Sequence, residues 1–381
     1  MDMSKLGNKS LELHRKLKGK IGIAAKARLR TMRDLSLFYT PGVGAVASYL
    51  AKHKKDVGAL TMKNNSVAVI SDGSAVLGLG NIGPEGALPV MEGKAMIFKE
   101  FAGIDAFPIV LKTQDPDEIV KTVINISPVF GGINLEDISA PRCFEIERRL
   151  IEALDIPVMH DDQHGTAIIV LAGLINALKV AGKSPKRSKI IVFGAGAAGT
   201  AITKILVKFG VGNIIVLDSQ GIISRKRPGL NIYKKSLASI TNKKNITGSL
   251  DDAVTGADAL IGVSLKPGAF RPEHIKKMSP KPIVFALANP IPEIMPNEAL
   301  KAGAFIAASG RSDFKNQINN ALAFPGVFRG ALDRGVKKIT DEIKIKVAKK
   351  LAALVRRPTP KYIIPSVLDK QVVKAVASAV K

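Results

Sequence analysis

The sequence is poor in cysteine and in aromatic residues. Its 381 residues include one cysteine, Cys143, and no tryptophan, and only 5% of them are aromatic. A single cysteine excludes an intramolecular disulfide framework and is typical of a protein in a reducing compartment. The N-terminus has no apolar signal-peptide region, and no run of residues is expected to reach membrane-spanning length. We therefore expect a cytoplasmic protein.

Acidic residues are also scarce. The chain has 32 aspartates and glutamates against 57 lysines and arginines, which gives a net charge of +25. Such chains often bind nucleic acid or anionic surfaces, but no arginine-rich arm or aromatic-interleaved basic patch is present here. We interpret the excess as a solvated lysine-rich surface on an enzyme of anionic substrates. Solvent adaptation of the source organism would produce the same bias.

Against this basic background, two acidic pairs stand close together in the sequence. Glu136 and Asp137 are adjacent, as are Asp161 and Asp162, and each pair lies just ahead of an expected helix. Carboxylates cap helices and interact well with the helix dipole, so capping explains either pair alone. Mg²⁺ and Mn²⁺ also prefer oxygen ligands. The two pairs together, upstream of a nucleotide motif, favour a metal site.

The nucleotide motif is a glycine-rich loop in its expected context. A buried strand over residues 189–194 leads into it, a helix to about Phe209 follows, and Asp218 ends the next strand. Glycines at these positions let backbone N–H groups and the helix N-terminus hold a pyrophosphate. The loop predicts a nicotinamide dinucleotide site and consists of Gly194, Ala195, Gly196, Ala197, Ala198 and Gly199.

The choice between NAD and NADP depends on charges near Asp218. That carboxylate would accept hydrogen bonds from the ribose hydroxyls and repel a 2′-phosphate, which favours NAD. The nearby run Arg225-Lys-Arg227 could attract a 2′-phosphate, or it could be a solvated loop. Either cofactor therefore stays open, with NAD slightly favoured.

Two further buried strands, over 259–264 and 282–288, predict a parallel sheet. Ser264 and Asn289 stand at the carboxyl ends of these strands, where ligands of such sheets bind. The Asn289 amide could contact nicotinamide or a substrate carboxylate, although asparagine before proline is also ordinary turn chemistry. We predict an α/β fold with an N-terminal α/β domain over residues 1–160. A Rossmann-like, doubly wound parallel-sheet domain with C-terminal helices covers 161–381, and the active site lies in the cleft.

Two other residues have both an ordinary and a chemical interpretation. Tyr39 precedes a turn at Pro41-Gly42, where a packing role is the usual one. Lys94 lies one residue from the apolar stripe of a predicted helix over 90–101, so burial could lower its pKa towards that of a base. A lysine that extends to solvent fits the same pattern. We interpret the glycine loop over 76–84 as a tight connection.

Taken together, these features resemble the short, prokaryotic type of malic enzyme over nearly the whole chain. The similar motifs are Phe38-Tyr-Thr-Pro-Gly-Val43, Leu77-Gly-Leu-Gly-Asn-Ile-Gly-Pro84, Met91-Glu-Gly-Lys-Ala95, Lys99-Glu-Phe-Ala-Gly-Ile-Asp105, Gly131-Gly-Ile-Asn-Leu-Glu-Asp137, His160-Asp-Asp-Gln-His-Gly-Thr166, Gly194-Ala-Gly-Ala-Ala-Gly199 and Asn319-Asn-Ala-Leu-Ala-Phe-Pro-Gly326.

The resemblance implies a role for each candidate residue. Tyr39 and Lys94 resemble the family's general acid and base, and Asp161 the carboxylate beside the lysine. The metal ligands would be Glu136, Asp137 and Asp162, and the contacts to malate or nicotinamide would be Asn289, Asn319 and Asn320. It further implies a homodimer that converts L-malate to pyruvate and CO₂ with NAD(P) and Mg²⁺ or Mn²⁺, and that could also decarboxylate oxaloacetate.

One departure from the family concerns the far carboxylate of malate. Larger members carry an arginine in the glycine loop near Ala75, where this chain has alanine. Arg142 and Lys99 are the candidates that we consider in its place. Two other interpretations also stay open, a 2-hydroxy acid dehydrogenase that does not decarboxylate and a basic nucleotide- or nucleic-acid-binding protein with an inactive enzyme fold. The metal carboxylates argue against the first, and intact Tyr39 and Lys94 against the second.

Overall fold

The computed structural model describes residues 3–264 and 266–381, which fold around two β-sheets. The strands in these residues are β1 (Ser66–Ser71), β2 (Asp105–Val110), β3 (Gly132–Leu135), β4 (Val158–His160), β5 (Lys189–Phe193), β6 (Asn213–Asp218), β7 (Gly221–Ile222), β8 (Ala259–Gly262), β9 (Ile283–Ala286) and β10 (Ile306–Ser309).

The α-helices lie between and after the strands. In the described residues they are α1 (Met3–Leu17), α2 (Met32–Phe38), α3 (Val43–Lys52), α4 (Val57–Leu60), α5 (Gly83–Ala102), α6 (Pro116–Ile126), α7 (Arg142–Ala153), α8 (Asp161–Ala181), α9 (Ala197–Phe209), α10 (Ile232–Ile240), α11 (Leu250–Val254), α12 (Pro272–Lys276), α13 (Pro296–Lys301), α14 (Phe324–Arg334), α15 (Asp341–Leu354) and α16 (Gln371–Ala379).

The strand order confirms the predicted α/β class. The first sheet is parallel in the order β2-β1-β3-β4, and the second runs β10-β9-β8-β5-β6-β7 with only β7 antiparallel. In the second sheet the strands after β5 continue on one side to β6 and return on the other to β8. This reversal is the doubly wound arrangement, and it places the glycine-rich loop after β5 at the point where ligands bind.

Alternate residues of the second sheet enter different cores. Ile190 and Val192 pack into the core that α8, α9 and α14 share, whereas Ile191 faces a separate core beneath α11 to α13. Successive strand side chains point to opposite faces, so a continuous apolar run is what a sheet covered on both sides requires. The same shared core includes Val67 and Val69 of β1, so the two sheets are packed around one set of helices.

Helix α8 lies at the centre of this shared core. The second acidic pair was predicted to lie just ahead of this helix, but the helix begins at Asp161 and both aspartates lie in its first turn. Its 21 residues are long and apolar enough to cross a membrane, contrary to the expectation that no run reaches that length. In the fold, 72% of its apolar stretch is buried inside the protein, as in the core helix of a globular protein.

Aromatic contacts join the C-terminal helices to the first sheet. The Phe98 ring of α5 meets the Phe324 and Phe328 rings of α14 at centroid distances of 4.8 and 5.5 Å. Helix α5 begins at Gly83, before the predicted start at residue 90, and Pro89 lies inside it. This packing fixes the face of α5 that presents Lys94.

The N-terminal segment differs from the rest of the chain. No residue from 5 to 65 is buried, although this stretch includes α2, α3 and α4 and many large apolar side chains. Leu37, Phe38 and Tyr39 are each about 60% exposed. Helices that are amphipathic or apolar normally bury one face, so this segment has apolar surface that its own chain does not cover.

Candidate active site

A cavity of about 320 Å³ lies between the two sheets. It is bounded by the glycine loop before α5, the start of α8, and the ends of β8 and β9. Apolar side chains such as Val90, Ile169 and Val263 form part of its wall. Its polar lining consists of Lys94, Glu136, Asp137, Asp162, Thr166, Ser264, Asn289, Asn319 and Asn320.

The predicted metal ligands meet in this cavity. One carboxylate oxygen from each of Glu136, Asp137 and Asp162 lies within 4.8 Å of the others. Glu136 and Asp137 follow β3 directly, and Asp162 comes from the first turn of α8. The backbone of Asp137 is left-handed, with a φ of 54°, and its N–H donates to Asp162 Oδ2 at 2.8 Å. The carboxyl end of one parallel strand and the N-terminus of a helix thus bring the two acidic pairs together.

The negative charge of these three carboxylates is crowded and buried, which favours binding of a divalent cation. Burial and the charges of neighbouring carboxylates raise the pKa values of Glu136, Asp137 and Asp162. Asp137 Oδ2 is buried and has no hydrogen-bond partner among the described residues. Three crowded oxygen donors, one of them unsatisfied, are the donor set that Mg²⁺ and Mn²⁺ prefer.

Lys94 crosses from α5 to the same cluster. It is only 7% exposed, and its Nζ lies 2.7 Å from Asp161 Oδ2 and 2.8 Å from Glu136 Oε1. Burial disfavours the charged ammonium, but these two carboxylates outweigh it and raise the pKa of Lys94. The lysine therefore does not extend to solvent. The prediction that burial lowers its pKa is also wrong, because the two carboxylates hold the pKa above its ordinary value and keep the side chain a buried cation within reach of the cavity.

A glycine makes room for Asp161 beside Lys94. A Cβ on Gly165 would lie 1.8 Å from Asp161 Oδ1 and 3.3 Å from the Cβ of Asn320. No real Cβ contact is that short, so a larger residue at 165 would displace the carboxylate. The close approach brings Asn320 and Asp161 to one side of the cavity.

The dinucleotide loop borders a second cavity of about 490 Å³. Gly194, Ala195 and Gly196 line it, while Ala197 and Ala198 begin α9 and Gly199 lies in its first turn. A Cβ on Gly199 would lie 1.7 Å from the Gly194 carbonyl oxygen, so the turn requires glycine there. Val263 and Ser264 line both this cavity and the acidic one, so the two cavities adjoin each other.

Asp218 reaches the second cavity but is already paired. Both carboxylate oxygens are bound by the Arg227 guanidinium, and Lys234 Nζ lies 2.7 Å from Oδ2. Although burial alone would raise it, hydrogen bonds from Arg227 and Lys234 lower the pKa of Asp218 to about 2. Arg225 instead donates to the Lys243 carbonyl at the surface. Lys234, 16 residues beyond Asp218, was not predicted, because its contact with the carboxylate is made only by folding.

The asparagines predicted to bind substrate line the acidic cavity from its second-domain side. Asn319 lines the cavity, and its side-chain Oδ1 accepts from the Ala321 N–H at 2.9 Å, which fixes the orientation of the side chain. The backbone oxygen of Asn289 lies 1.8 Å from the position of a Cβ on Gly78. This approach supports the interpretation of the glycine loop as a tight connection. Glu293, which sequence reasoning missed, is fully buried and accepts from Ser264 N–H at 2.8 Å.

Three candidate residues lie elsewhere. Tyr39 is 63% exposed at the end of α2 and does not line the cavity. Lys99 pairs with Asp105 at the surface, and Arg142 is bound to Asp72. Neither cation lines the cavity as a ligand for a far carboxylate. Lys94 is the one basic residue among the described residues that line it.

The chain is similar to known proteins over nearly its full length. The model of the malic enzyme N-terminal domain matches residues 18–151, and that of the malic enzyme NAD-binding domain matches 163–381. The NAD-dependent malic enzyme of Geobacillus stearothermophilus is 55% identical, over 95% of this chain and 76% of that protein. The NADP-dependent malic enzyme of Halomonas elongata is 44% identical, over 97% and 92%. A crystal structure of the NAD-dependent malic enzyme of Thermotoga maritima has a TM-score of 0.95 at 50% identity, over 97% and 98%.

We predict that Asp137→Asn weakens Mn²⁺ binding by more than about 100-fold. Loss of a residue that only orients a metal ligand already costs about 10- to 100-fold in metal affinity, and Asp137 is expected to be a ligand itself. Electron paramagnetic resonance of free Mn²⁺, titrated with protein, measures the affinity. Asp155→Asn, which changes a 92%-exposed carboxylate, is the matched control and should bind like the wild type. Equal affinity of Asp137→Asn and wild type would remove Asp137 from the ligand set.

Proposed function

The chain belongs to the malic enzyme family, and we propose how its residues convert L-malate, with NAD or NADP, to pyruvate, CO₂ and the reduced dinucleotide. The observation that supports the assignment of roles is the contact of a buried lysine with a carboxylate cluster next to the dinucleotide loop. An amine that can take a proton, an oxygen-rich metal site and a hydride acceptor are the three parts that this reaction requires.

We propose that Glu136, Asp137 and Asp162 hold Mg²⁺ or Mn²⁺. When bound, such an ion supplies Lewis-acid stabilisation of negative charge on substrate oxygen. Glu136 is shared between this cluster and Lys94, so its use as a metal ligand would weaken one of the two contacts that keep Lys94 charged. The amides of Asn289, Asn319 and Asn320 would orient the substrate from the opposite wall.

The first step that we propose is oxidation at C2. Lys94 would take the proton of the C2 hydroxyl, and a dinucleotide bound at the glycine-rich loop would accept the C2 hydride. Lys94 must be neutral for this role. Its contacts with Asp161 and Glu136 disfavour the neutral form, and a metal ion that drew Glu136 away would favour it. Asp161 holds the lysine side chain at 2.7 Å and so fixes the direction in which Nζ points. The product of this step is a β-keto acid, and the electron pair of the C2–H bond is now in the reduced dinucleotide.

Decarboxylation and protonation then complete the reaction. The bond from C3 to the far carboxylate breaks, CO₂ leaves, and the electron pair forms the enolate of pyruvate. We propose that Tyr39 gives its hydroxyl proton to C3, and that the proton taken up by Lys94 replaces it by way of solvent. Oxaloacetate, which enters the sequence after the oxidation, would be decarboxylated by the same residues.

We propose that Tyr39 acts in the cavity of a second copy of the chain, within a homodimer. In its own chain Tyr39 is exposed and does not line the cavity. The segment 5–65 buries none of its side chains, and Leu37 and Phe38 beside Tyr39 are exposed as well. A two-fold exchange of this segment would cover that apolar surface and complete both sites at once.

We also propose a cytoplasmic location. The single cysteine, Cys143, is free and buried, as is typical of a protein in a reducing compartment.

We propose that the enzyme accepts both NAD and NADP. A free carboxylate at Asp218 would repel a 2′-phosphate, but Arg227 and Lys234 bind it and leave a net positive charge at this end of the cavity. Their donors could turn to a 2′-phosphate, since arginine binds phosphate through paired N–H groups. Without that phosphate, Asp218 remains close enough to serve the ribose hydroxyls of NAD.

A turnover assay tests the proposed function. Purified protein is given L-malate and Mn²⁺ with NAD or NADP, and both the reduced dinucleotide and pyruvate are quantified. We expect equal amounts of the two products with either dinucleotide, and loss of both with a chelator. Reduced dinucleotide with oxaloacetate but no pyruvate would mean a dehydrogenase that does not decarboxylate. Salt-sensitive retention of duplex DNA without turnover would favour the inactive-fold interpretation.

Co-expression of two inactive variants tests the shared site. Tyr39→Phe and Lys94→Ala should each reduce kcat by about 10²- to 10⁴-fold, as expected for loss of a general acid or base. In a hybrid dimer, the cavity that keeps Lys94 receives Tyr39 from the other chain, so one of the two sites, about half, should be active. The two variants carry different affinity tags, and hybrid dimers are isolated by purification on one tag and then on the other. Hybrids as inactive as the parents would place Tyr39 in its own cavity.

The cofactor proposal predicts an asymmetric effect of Arg227→Gln. It should lower kcat/KM for NADP by about 10- to 100-fold, since hydrogen bonds to charged groups contribute about 1.5–3 kcal/mol. The value for NAD should be unchanged or higher, because Asp218 is released for the ribose. Arg225→Gln, on the same loop but directed to a surface carbonyl, is the control. Equal losses for both dinucleotides would contradict a 2′-phosphate role.

A further inference from the structure

A buried carboxylate outside the cavity supports the start of α8. Glu147, on α7, is only 6% exposed, and its two oxygens accept three hydrogen bonds. The donors are the His160 backbone N–H at 2.8 Å, Gln163 Nε2 at 3.1 Å and His164 Nε2 at 3.0 Å. They belong to the motif that contains Asp161 and Asp162, but the proposed reaction uses none of the three.

The contacts of Glu147 lie on the side of α8 that faces away from the reacting groups. Gln163, His164 and Ala167 border a separate cavity of about 400 Å³ with Glu147 itself. By contrast, Asp162, Thr166 and Ile169 border the acidic cavity. Residues three and four apart share one face of a helix, so the two sets define two faces of the same first turns. Glu147 therefore contacts the face of α8 opposite to the one that borders the acidic cavity, and Asp162 lies on the cavity face.

Glu147 holds the start of α8 as an ionised carboxylate. Burial alone would raise the pKa of Glu147, but interactions with His164, His160 and Lys344 outweigh it and lower the pKa below its usual range. Hydrogen bonds to an ionised acceptor are shorter and stronger than those between neutral groups. The remainder of α8 is held by apolar packing against its neighbours, which does not depend on Glu147. Loss of the carboxylate should thus loosen the first turn more than the whole helix.

We propose that Glu147 is a positioning residue for the metal and lysine site, because it holds residues 160–164 in the conformation that directs Asp161 to Lys94 and Asp162 to the metal cluster. The donors stand on both sides of these aspartates, so a single carboxylate sets the direction of two functional side chains. This inference rests on the proposed function, since it assigns Asp162 to a divalent ion.

Glu147→Gln tests the proposal by a measurement that does not need turnover. Mn²⁺ affinity, followed by electron paramagnetic resonance, should fall about 10- to 100-fold, as for other partners that orient metal ligands. We expect kcat for malate to fall as well, while the dissociation constant for reduced dinucleotide, from its fluorescence, stays within about twofold. Glu145→Gln is the matched control, because Glu145 lies on the same helix with an exposed carboxylate paired to Arg149.

Chemical rescue separates positioning from a general loss of folding. Glu147→Ala leaves space next to the 400 Å³ cavity, through which formate can enter and supply a carboxylate. We expect formate to restore part of the Mn²⁺ affinity and kcat of Glu147→Ala, and to restore neither in a Glu147→Ala, Asp162→Asn double variant.

Several outcomes would overturn the proposal. Unchanged Mn²⁺ affinity in folded Glu147→Gln would do so, as would dinucleotide and Mn²⁺ affinities that fall together in proportion to a lowered Tm. If the wild type itself bound no Mn²⁺, the metal part of the proposed function would fail and this inference with it. Wild-type Mn²⁺ binding combined with an unaffected Glu147→Gln would overturn only the role of Glu147.

Discussion

The crowding of four carboxylates around one lysine is the constraint on which the rest of the site depends. Burial, together with the charges of neighbouring carboxylates, raises the pKa values of Glu136, Asp137 and Asp162. Lys94 offsets part of this repulsion through Glu136 and Asp161. Removing one partner from such a buried group normally costs several kcal/mol, because the remaining charge is left without compensation. The arrangement therefore fits a protein in which a divalent ion completes the balance of charge.

The fold brings this cluster together from parts that are far apart in sequence. The carboxyl end of β3 supplies two carboxylates, the first turn of α8 supplies two more, and α5 supplies the lysine. Close backbone approach is essential at one point, since a side chain at Gly165 would occupy the place of the Asp161 carboxylate. Because α8 lies in the core that both sheets share, a shift of that helix would move Asp161 and Asp162 relative to Glu136, Asp137 and Lys94.

Much of this could be predicted from the sequence because local patterns determine it. Strand periodicity and the glycine-rich loop predicted the second sheet, and the two acidic pairs predicted the cluster. Contacts made only by folding were missed: Lys234 reaches Asp218 across a turn and a helix start, and Glu147 reaches α8 from α7. The helix start at Asp161 was placed too late, because the aspartates were interpreted as preceding it. The roles of the site residues stay predictions, and for Tyr39 a single chain does not provide the neighbour that it would need.

The net charge of +25 and the acidic lining of the cavity should have opposite effects on anionic ligands. Malate and the dinucleotides are anions, and a positive surface field raises the rate at which anions arrive, in a salt-dependent way. Inside the cavity the balance is reversed, since Lys94 is the one basic group among the described lining residues and is already shared by two carboxylates. A dianionic substrate would meet repulsion there unless a divalent ion were bound first. We therefore expect the surface charge to affect the rate at which malate binds. The metal ion and a second copy of the chain would affect how tightly malate is held.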